Sequence, residues 1–361
     1  MRKDFLDKYC RNCYIHSTKQ DEYYVSLIKG YPVKITGIGT AIPDHVITND
    51  DLSKIVDTND EWITSRTGIK ERHVVSGDEG ATSLSVQAAN EALSYAGLKA
   101  SDIDLIISAT SIPDQLYPST ACEVQGQIEA NNAVAFNVVA ACSGFIYAMK
   151  VAHSLLFNGT YRKALVLGCD IHSRAMNWQD RNTCILFGDG AGAMVLERTD
   201  GDNEIYTIDI HSDGRKASDL NIPFNGKNAP GTDAKETSEQ YVRMKGREIY
   251  KFSIRVVPQA ILDSLKRANL SIDELDYLIP HQANIRIVTA IGEKLKLRED
   301  QLIAELQNYG NTSAASIPIA LVNALRKNKV KVPSTIAMVG FGAGLTWGVS
   351  VVKFSAIDRR L

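Results

Sequence analysis

Three side chains in this chain are of types that could do covalent chemistry together. Cys142 stands in "FNVVAACSGFIYAMK", where an apolar, β-branched run gives way to a helical pattern. His281 closes the aliphatic run in "LDYLIPHQAN", and Asn311 lies in "NYGNTSAASIP". A thiol at a helix N-terminus is a candidate nucleophile, because the backbone N–H groups there favour its thiolate. Each residue also has an ordinary explanation. Free cysteine is among the most buried residue types. A histidine at a strand end commonly serves as a hydrogen-bonded structural group, and Asn between Gly310 and Thr312 suits a turn or an N-cap. What sets the three apart is position: all fall at strand-to-helix junctions, and sites in α/β sheets form outside the carboxyl ends of the strands. A fourth element, "GFGAG" at 340–344, is a turn whose small residues let backbone N–H groups approach a developing oxyanion. No Gly-Lys-Ser/Thr follows it, so it is not a phosphate loop.

The elements that must carry these residues are duplicated. "AGLKASDIDLIISAT" begins at Ala96 and "ANLSIDELDYLIPHQ" at Ala268, an offset of 172 residues. Each follows an amphipathic helical pattern and becomes an aliphatic run after an Asp (Asp104, Asp276), which reads as helix, tight loop and buried strand. The register persists: "CSGFIYAMKVAHSL" from Cys142 aligns with "AASIPIALVNALRK" from Ala314, and "ALVLG" at 164–168 with "IAMVG" at 336–340. Both halves end in a glycine-rich turn entering a strand, "FGDGAGAMVLE" from Phe187 and "FGAGLTWGVSVVKF" from Phe341. This predicts an α/β protein of two similar halves, each with a mostly parallel sheet covered by helices. "IHSRAMNWQDRNTC" after Asp170 breaks the register and reads as a surface insertion. The polar stretch 211–240 reads as long loops. The split is placed near residue 205. That gives an extension at 1–32, an N-terminal half at 33–205 with the cysteine, and a C-terminal half at 206–361 with the histidine and asparagine.

Composition narrows the function. With 361 residues, 44% hydrophobic, the chain can bury a large core. A formal net charge of −2 with 23% charged residues offers no basic surplus for nucleic acid, and no apolar run reaches the roughly 18–20 residues of a membrane span. The first thirty residues mix both charge signs around no apolar core, unlike a secretory signal. The six cysteines, Cys10, Cys13, Cys122, Cys142, Cys169 and Cys184, are irregularly spaced, which suits reduced thiols and a cytoplasmic setting. Cys10, Cys13 and His16 could be half a zinc site, but no second ligand pair lies nearby, and two incidental thiols on an extension are the simpler reading.

With these residues assembled, the chain resembles the β-ketoacyl-[acyl-carrier-protein] synthase III family of the thiolase-like fold over about residues 33–356. The motifs that carry the resemblance are "ITGIGTAIPDHVITNDDL", "TNDEWITSRTGIKERH", "AACSGF", "FGDGAGA", "PHQANIRI", "YGNTSAAS" and "GFGAGLTWG". The resemblance implies two pseudo-symmetric βα halves in an α/β/α/β/α arrangement, a homodimer with the strand near 134–140 at its interface, and an enzyme that starts type II fatty-acid synthesis. In that reading a short acyl group, acetyl or propionyl, passes from acyl-CoA to Cys142. Decarboxylative condensation with malonyl-[acyl-carrier-protein] then gives a 3-ketoacyl-[acyl-carrier-protein] and CO2. His281 and Asn311 match the residues that promote malonyl decarboxylation. Cys142, Gly342 and Ala343 would form the oxyanion hole. Trp62, Arg66 and Arg181 match positions that hold the CoA adenine and phosphates, and Gly246 and Asn284 lie in motifs lining the pantetheine channel. Lys251, Gln282 and Arg286 match the surface that meets the acidic carrier protein. Tyr117, His172 and Phe187 fall at the acyl pocket, where His172 replaces the aliphatic residue common in relatives. No metal or other cofactor is implied; CoA thioester and phosphopantetheine-bound malonyl are substrates.

Other chemistries share parts of this set. Papain-like proteases order Cys, His and Asn alike, but the "CGSC" flank is missing and a duplicated α/β block precedes Cys142. A degradative thiolase needs a second cysteine late in the chain, and none follows Cys184. An elongating synthase has His where Asn311 stands. Starter enzymes of quinolone, polyketide or ester biosynthesis share the Cys-His-Asn set and form the alternative reading, followed by a non-catalytic scaffold.

Overall fold

The aliphatic runs of both halves form strands, and helices cover the faces they leave exposed. The computed structural model describes residues 30–223 and 240–355; the expectations for Cys10, Cys13, His16 and the extension up to residue 29 lie outside them. In chain order the first half comprises β1 (Val33–Ala41), β2 (Val46–Thr48), α1 (Asn49–Ser53), α2 (Asp60–Thr67), β3 (Glu71–His73), α3 (Ala81–Ala96), β4 (Leu105–Ala109), α4 (Thr120–Gln127), β5 (Val134–Val138), α5 (Gly144–Phe157), β6 (Lys163–Asp170) and β7 (Gly190–Arg198). The second comprises β8 (Ile205–Ser212), β9 (Leu220–Asn221), β10 (Arg243–Met244), α6 (Gly246–Arg267), β11 (Tyr277–Pro280), α7 (Ile285–Leu295), α8 (Ser316–Arg326), β12 (Ser334–Gly342) and β13 (Thr346–Phe354).

Two large sheets result, in the orders β1-β7-β6-β4-β5 and β11-β12-β13-β8, and the described residues add the two-stranded pairs β2-β3 and β10-β9. The large sheets are mixed rather than mostly parallel. β5, β4 and β6 run parallel, as do β11 and β12, but β7, β1, β13 and β8 pair antiparallel. The glycine-rich turn at 342–346 accounts for one of these pairings, because a tight hairpin can only join antiparallel strands, whereas parallel strands need a helical crossover. Both faces of the central strands are buried. Along β6, Ala164 and Val166 enter one core while Leu165, Leu167 and Cys169 enter another, the two-residue period of a strand covered on both sides. α3 and α4 cover the outer face of the first sheet, α6 and α7 that of the second, and α5 and α8 lie between. The architecture is α/β/α/β/α.

The duplication extends to backbone detail. The 3-10 turns Ala141–Ser143 and Ser313–Ala315 open α5 and α8, whose first residues, Gly144 and Ser316, keep the 172-residue offset. Ala141 and Ser313 both have left-handed backbone, at φ +46° and +51°. Segment 171–184 departs from the expectation of a surface insertion. Ile171, His172, Ala175, Met176 and Cys184 are buried, and Ala175, Met176 and Cys184 pack with Leu52, Ile63 and Phe187 as a core beside the site. Segment 211–240 is likewise more than loops. Among its described residues, Leu220 of β9 pairs with Met244 of β10, and both pack on that same core.

The halves meet through residues that have almost no side chain. A Cβ on Gly168 would lie 2.6 Å from the Ala314 carbonyl oxygen, on Gly340 2.9 Å from the Ser143 Cα, and on Gly342 2.9 Å from the Cys142 Cβ. Backbone cannot yield at these points as a flexible side chain could. Gly168→Ala is therefore expected to destabilise the protein by about 1–3 kcal/mol, read as a lowered midpoint in urea unfolding.

Candidate active site

Each reactive side chain is fixed by the element that ends beneath it. Cys142 sits in the turn between β5 and α5, 5% exposed. Its sulfur accepts a hydrogen bond from the Ser313 hydroxyl at 3.3 Å. The expectation of a lowered thiol pKa does not hold. Burial pushes the thiol up to about 12, with the Ser313 hydrogen bond pulling back and the Asp170 charge adding to the rise. Removing a thiolate from water outweighs what one donor supplies.

His281 follows β11, and its N–H donates to the Val339 carbonyl at 2.8 Å. Nδ1 pairs with the Ser316 hydroxyl at 2.7 Å, and the ring stands edge-on to Phe341, centroids 5.3 Å apart. With Nδ1 engaged, Nε2 is the nitrogen left for the cavity. Burial, with the neighbouring His172 acting in the same direction, holds His281 down to about 3, so it is a neutral imidazole. Asn311 donates its backbone N–H to the Leu186 carbonyl and accepts at its own carbonyl from Gly188 N–H. Its Oδ1 accepts from Ser313 N–H at 2.9 Å, which leaves Nδ2 for a ligand. Arg72, wholly buried, braces this region by donating to the Ile47 and Ile185 carbonyls and to Asn49 Oδ1.

One cavity of about 290 Å³ joins these groups. Cys142, His281, Asn311, Phe187, Phe341 and Gly342 are among its buried lining, and Arg66, Gly246, Tyr250 and Arg286 among its exposed lining. Leu220 and Met244 from the β9–β10 pair also line it. At the exposed end the Arg66 and Arg181 guanidiniums lie 4.5 and 5.1 Å from the Trp62 ring centroid, and Arg181 also pairs with Asp57. Two cations over one indole form a surface suited to a planar, anionic group. Thr346 ties the glycine turn to the nucleophile: its hydroxyl reaches the Ala343 carbonyl at 2.7 Å and the Ala140 carbonyl at 3.3 Å, and accepts from Ser143 Oγ at 2.8 Å. Among the described residues no three His, Cys, Asp or Glu side chains group so as to hold a metal ion.

Several residues singled out from the sequence lie elsewhere than expected. Gln282 is not a surface residue. It is 3% exposed, its Nε2 donates to the Pro280 and Ile303 carbonyls, and its Oε1 accepts from Glu305 N–H; it is a strut behind His281. Tyr117 does not close an acyl pocket in this chain, being 85% exposed in the loop before α4. His172 is buried but not in the cavity wall. It stacks on Phe187, centroids 4.6 Å apart and rings within 5° of parallel, so Phe187 meets the cavity and His172 backs it. Asn284 lines the cavity, while its Oδ1 caps α7 by accepting from Arg286 N–H and its Nδ2 donates to the Arg66 carbonyl. Lys251 is exposed on α6 and pairs with Glu248. Sequence reasoning passed over Ser313, Ser316 and Thr346, although the first two stand in "NTSAAS" beside Asn311 and the third in "GLTWG".

Known proteins share both the sequence and this architecture. Residues 136–214 match the 3-oxoacyl-[acyl-carrier-protein] synthase III family, and residues 265–354 match that family's C-terminal portion. A β-ketoacyl-[acyl-carrier-protein] synthase III of Clostridium perfringens is 47% identical over 320 residues, covering 89% of this chain and 98% of the relative. The chain belongs to the β-ketoacyl-[acyl-carrier-protein] synthase III family. The crystal structure of a 3-oxoacyl-[acyl-carrier-protein] synthase III from Aquifex aeolicus superposes with a TM-score of 0.83 at 44% identity, covering 89% of this chain and 99% of that one. The priming β-ketosynthase of the R1128 polyketide pathway has the same fold at 27% identity, with a TM-score of 0.84 and coverage of 91% and 98%. Like its family, the protein is a condensing acyltransferase.

The depressed His281 pKa sets a stability dependence with a definite sign. In the unfolded chain the imidazole takes a proton near 6.5, but in the folded protein only near 3. His281 therefore costs no stability above 6.5, and as the pH falls from 6.5 towards 3 stability is lost, by roughly 1 kcal/mol per pH unit. His281→Asn should flatten the fall of the urea midpoint between about pH 6 and 4.5 relative to the parent.

Proposed function

We propose that this protein opens type II fatty-acid synthesis by a two-step exchange at Cys142. The Cys142 sulfur attacks the thioester carbonyl of a short acyl-CoA, acetyl in the first instance. The carbon–sulfur bond to CoA breaks, and CoA leaves as its thiol with the proton Cys142 gave up. Malonyl-[acyl-carrier-protein] then enters, its carboxylate departs as CO2, and the electron pair left behind spreads onto the thioester oxygen as an enolate. Nε2 of His281 and Nδ2 of Asn311 donate to that oxygen. The carbanion attacks the acyl-Cys142 carbonyl, the bond to Cys142 breaks, and 3-ketoacyl-[acyl-carrier-protein] leaves with ping-pong kinetics. Donors from Cys142, Gly342 and Ala343 would hold the tetrahedral oxyanion, a donor of this kind contributing about 3 kcal/mol.

The observation that carries this reading is the convergence of Cys142, His281 and Asn311 on one cavity. A neutral His281 can donate from Nε2 to the enolate when its Nδ1 accepts the Ser316 hydroxyl hydrogen. Trp62, Arg66 and Arg181 suit the adenine and phosphates of CoA, and Gly246 and Asn284 the pantetheine arm. Arg286 and Lys251 offer positive charge to an acidic carrier protein. Phe187, backed by His172, favours a short acyl group. A homodimer in the cytoplasm completes the reading: β5 is an edge strand, and Val134 in it and Val139 just after it are exposed apolar side chains that strand pairing would cover. The starter enzymes of polyketide pathways are the more distant kin.

Cys142→Ala should abolish acyl transfer, read as loss of CoA thiol release. His281→Ala and Asn311→Ala should still release CoA in a single turnover but lose at least about a hundredfold in CO2 release from malonyl-[acyl-carrier-protein]. Parent-rate condensation by either variant would refute the division of roles.

A further inference from the structure

The duplicated scaffold contains its own control for one side chain at the reaction centre. Ala141 and Ser313 occupy equivalent places, each opening a 3-10 turn that leads into a central helix, and each with left-handed backbone. Ala141 makes this turn with a methyl group, so the turn does not call for a hydroxyl. At 313 the chain carries one nonetheless, on a side chain with 0% exposure. A buried hydroxyl needs a partner, and this one donates to Cys142 Sγ at 3.3 Å. We propose that Ser313 is a further catalytic residue, whose hydroxyl stabilises the Cys142 thiolate that attacks the incoming thioester.

Besides the backbone N–H of Cys142 itself, no other side chain around the sulfur supplies this. Asp170, at the end of β6, opposes a second negative charge. His281 is neutral, and His172 is buried behind Phe187. A hydrogen bond strengthens when its acceptor gains charge, so the hydroxyl counts most while sulfur is a thiolate and little once it is a thioester. The Ser313 N–H that orients Asn311 is backbone and survives substitution. The hydroxyl therefore acts where the sulfur carries charge, on its attack in acylation and again on its expulsion after condensation, and not on the decarboxylation of malonyl, a split that a merely structural role would not produce. This inference rests on Cys142 being the acyl acceptor.

The test uses Ser313→Ala, which copies the equivalent Ala141, and Ser313→Gly, which suits left-handed backbone, both in the full chain. Three quantities are read: the rate of Cys142 alkylation by iodoacetamide across about pH 7–9, single-turnover acylation by acetyl-CoA, and CO2 release from malonyl-[acyl-carrier-protein] by pre-acylated enzyme. Both variants should slow alkylation across that range and acylation by at least about tenfold each, with CO2 release within about twofold of the parent. Alkylation and acylation within twofold of the parent in both variants, or a loss located in CO2 release, would overturn the proposal. Failure of the parent itself to accept acetyl would instead refute the acyl-transfer reading, and the alkylation profile would still decide whether Ser313 acts on the sulfur.

Discussion

The site depends on how closely two backbones approach. Cys142 belongs to the first half of the chain, His281 and Asn311 to the second, and a side chain at Gly342 would meet the Cys142 Cβ at 2.9 Å. Gly340 and Gly168 bring Ser143 and Ala314 equally near. Steric contact acts steeply at this range, so the seam admits one registration of the halves. Given that registration, the thiol, imidazole and carboxamide share one cavity.

The seam also accounts for the electrostatics. Packing the reactive turns between two sheets removes water from sulfur and imidazole alike, raising the one and lowering the other. A neutral thiol beside a neutral imidazole is the low-energy resting state of a dry site. Hydrogen bonds made before any ligand arrives then hold the partners: Ser313 to sulfur, Ser316 to Nδ1, Ser313 N–H to Oδ1. Donors fixed in advance need no reorganisation when charge develops, which is where a preorganised site gains most over water.

Much of this was legible in the sequence, for physical reasons. The 172-residue offset revealed two copies of one strand–helix unit, and the apolar runs marked strands buried on both faces. Junction residues such as Cys142, His281 and Asn311 stood out because polar groups there interrupt apolar patterns. Strand direction was misread because periodicity reports burial and not orientation, so the strand that follows the glycine-rich turn gave no sign that it runs antiparallel to the one before it. Gln282 was misplaced because a glutamine between strand and helix looks exposed; its three backbone partners come from residues 280, 303 and 305, two of them distant in sequence. Tyr117 points away from this chain's own cavity; a motif gives a residue's place in the chain and not the direction of its side chain. Ser313 was hidden by its neighbours, its hydroxyl meaning nothing until Cys142 was set opposite it.

The central claim is that the cavity formed at the seam ends on a nucleophilic sulfur at Cys142. Intact-mass measurement of the protein after incubation with acetyl-CoA, followed by peptide mapping, tests it most directly. The account predicts the gain of one acetyl group, carried by the peptide that contains Cys142 and reversed by hydroxylamine. No gain in mass, or an acetyl group on Cys122, Cys169 or Cys184 with Cys142 unmodified, would contradict it.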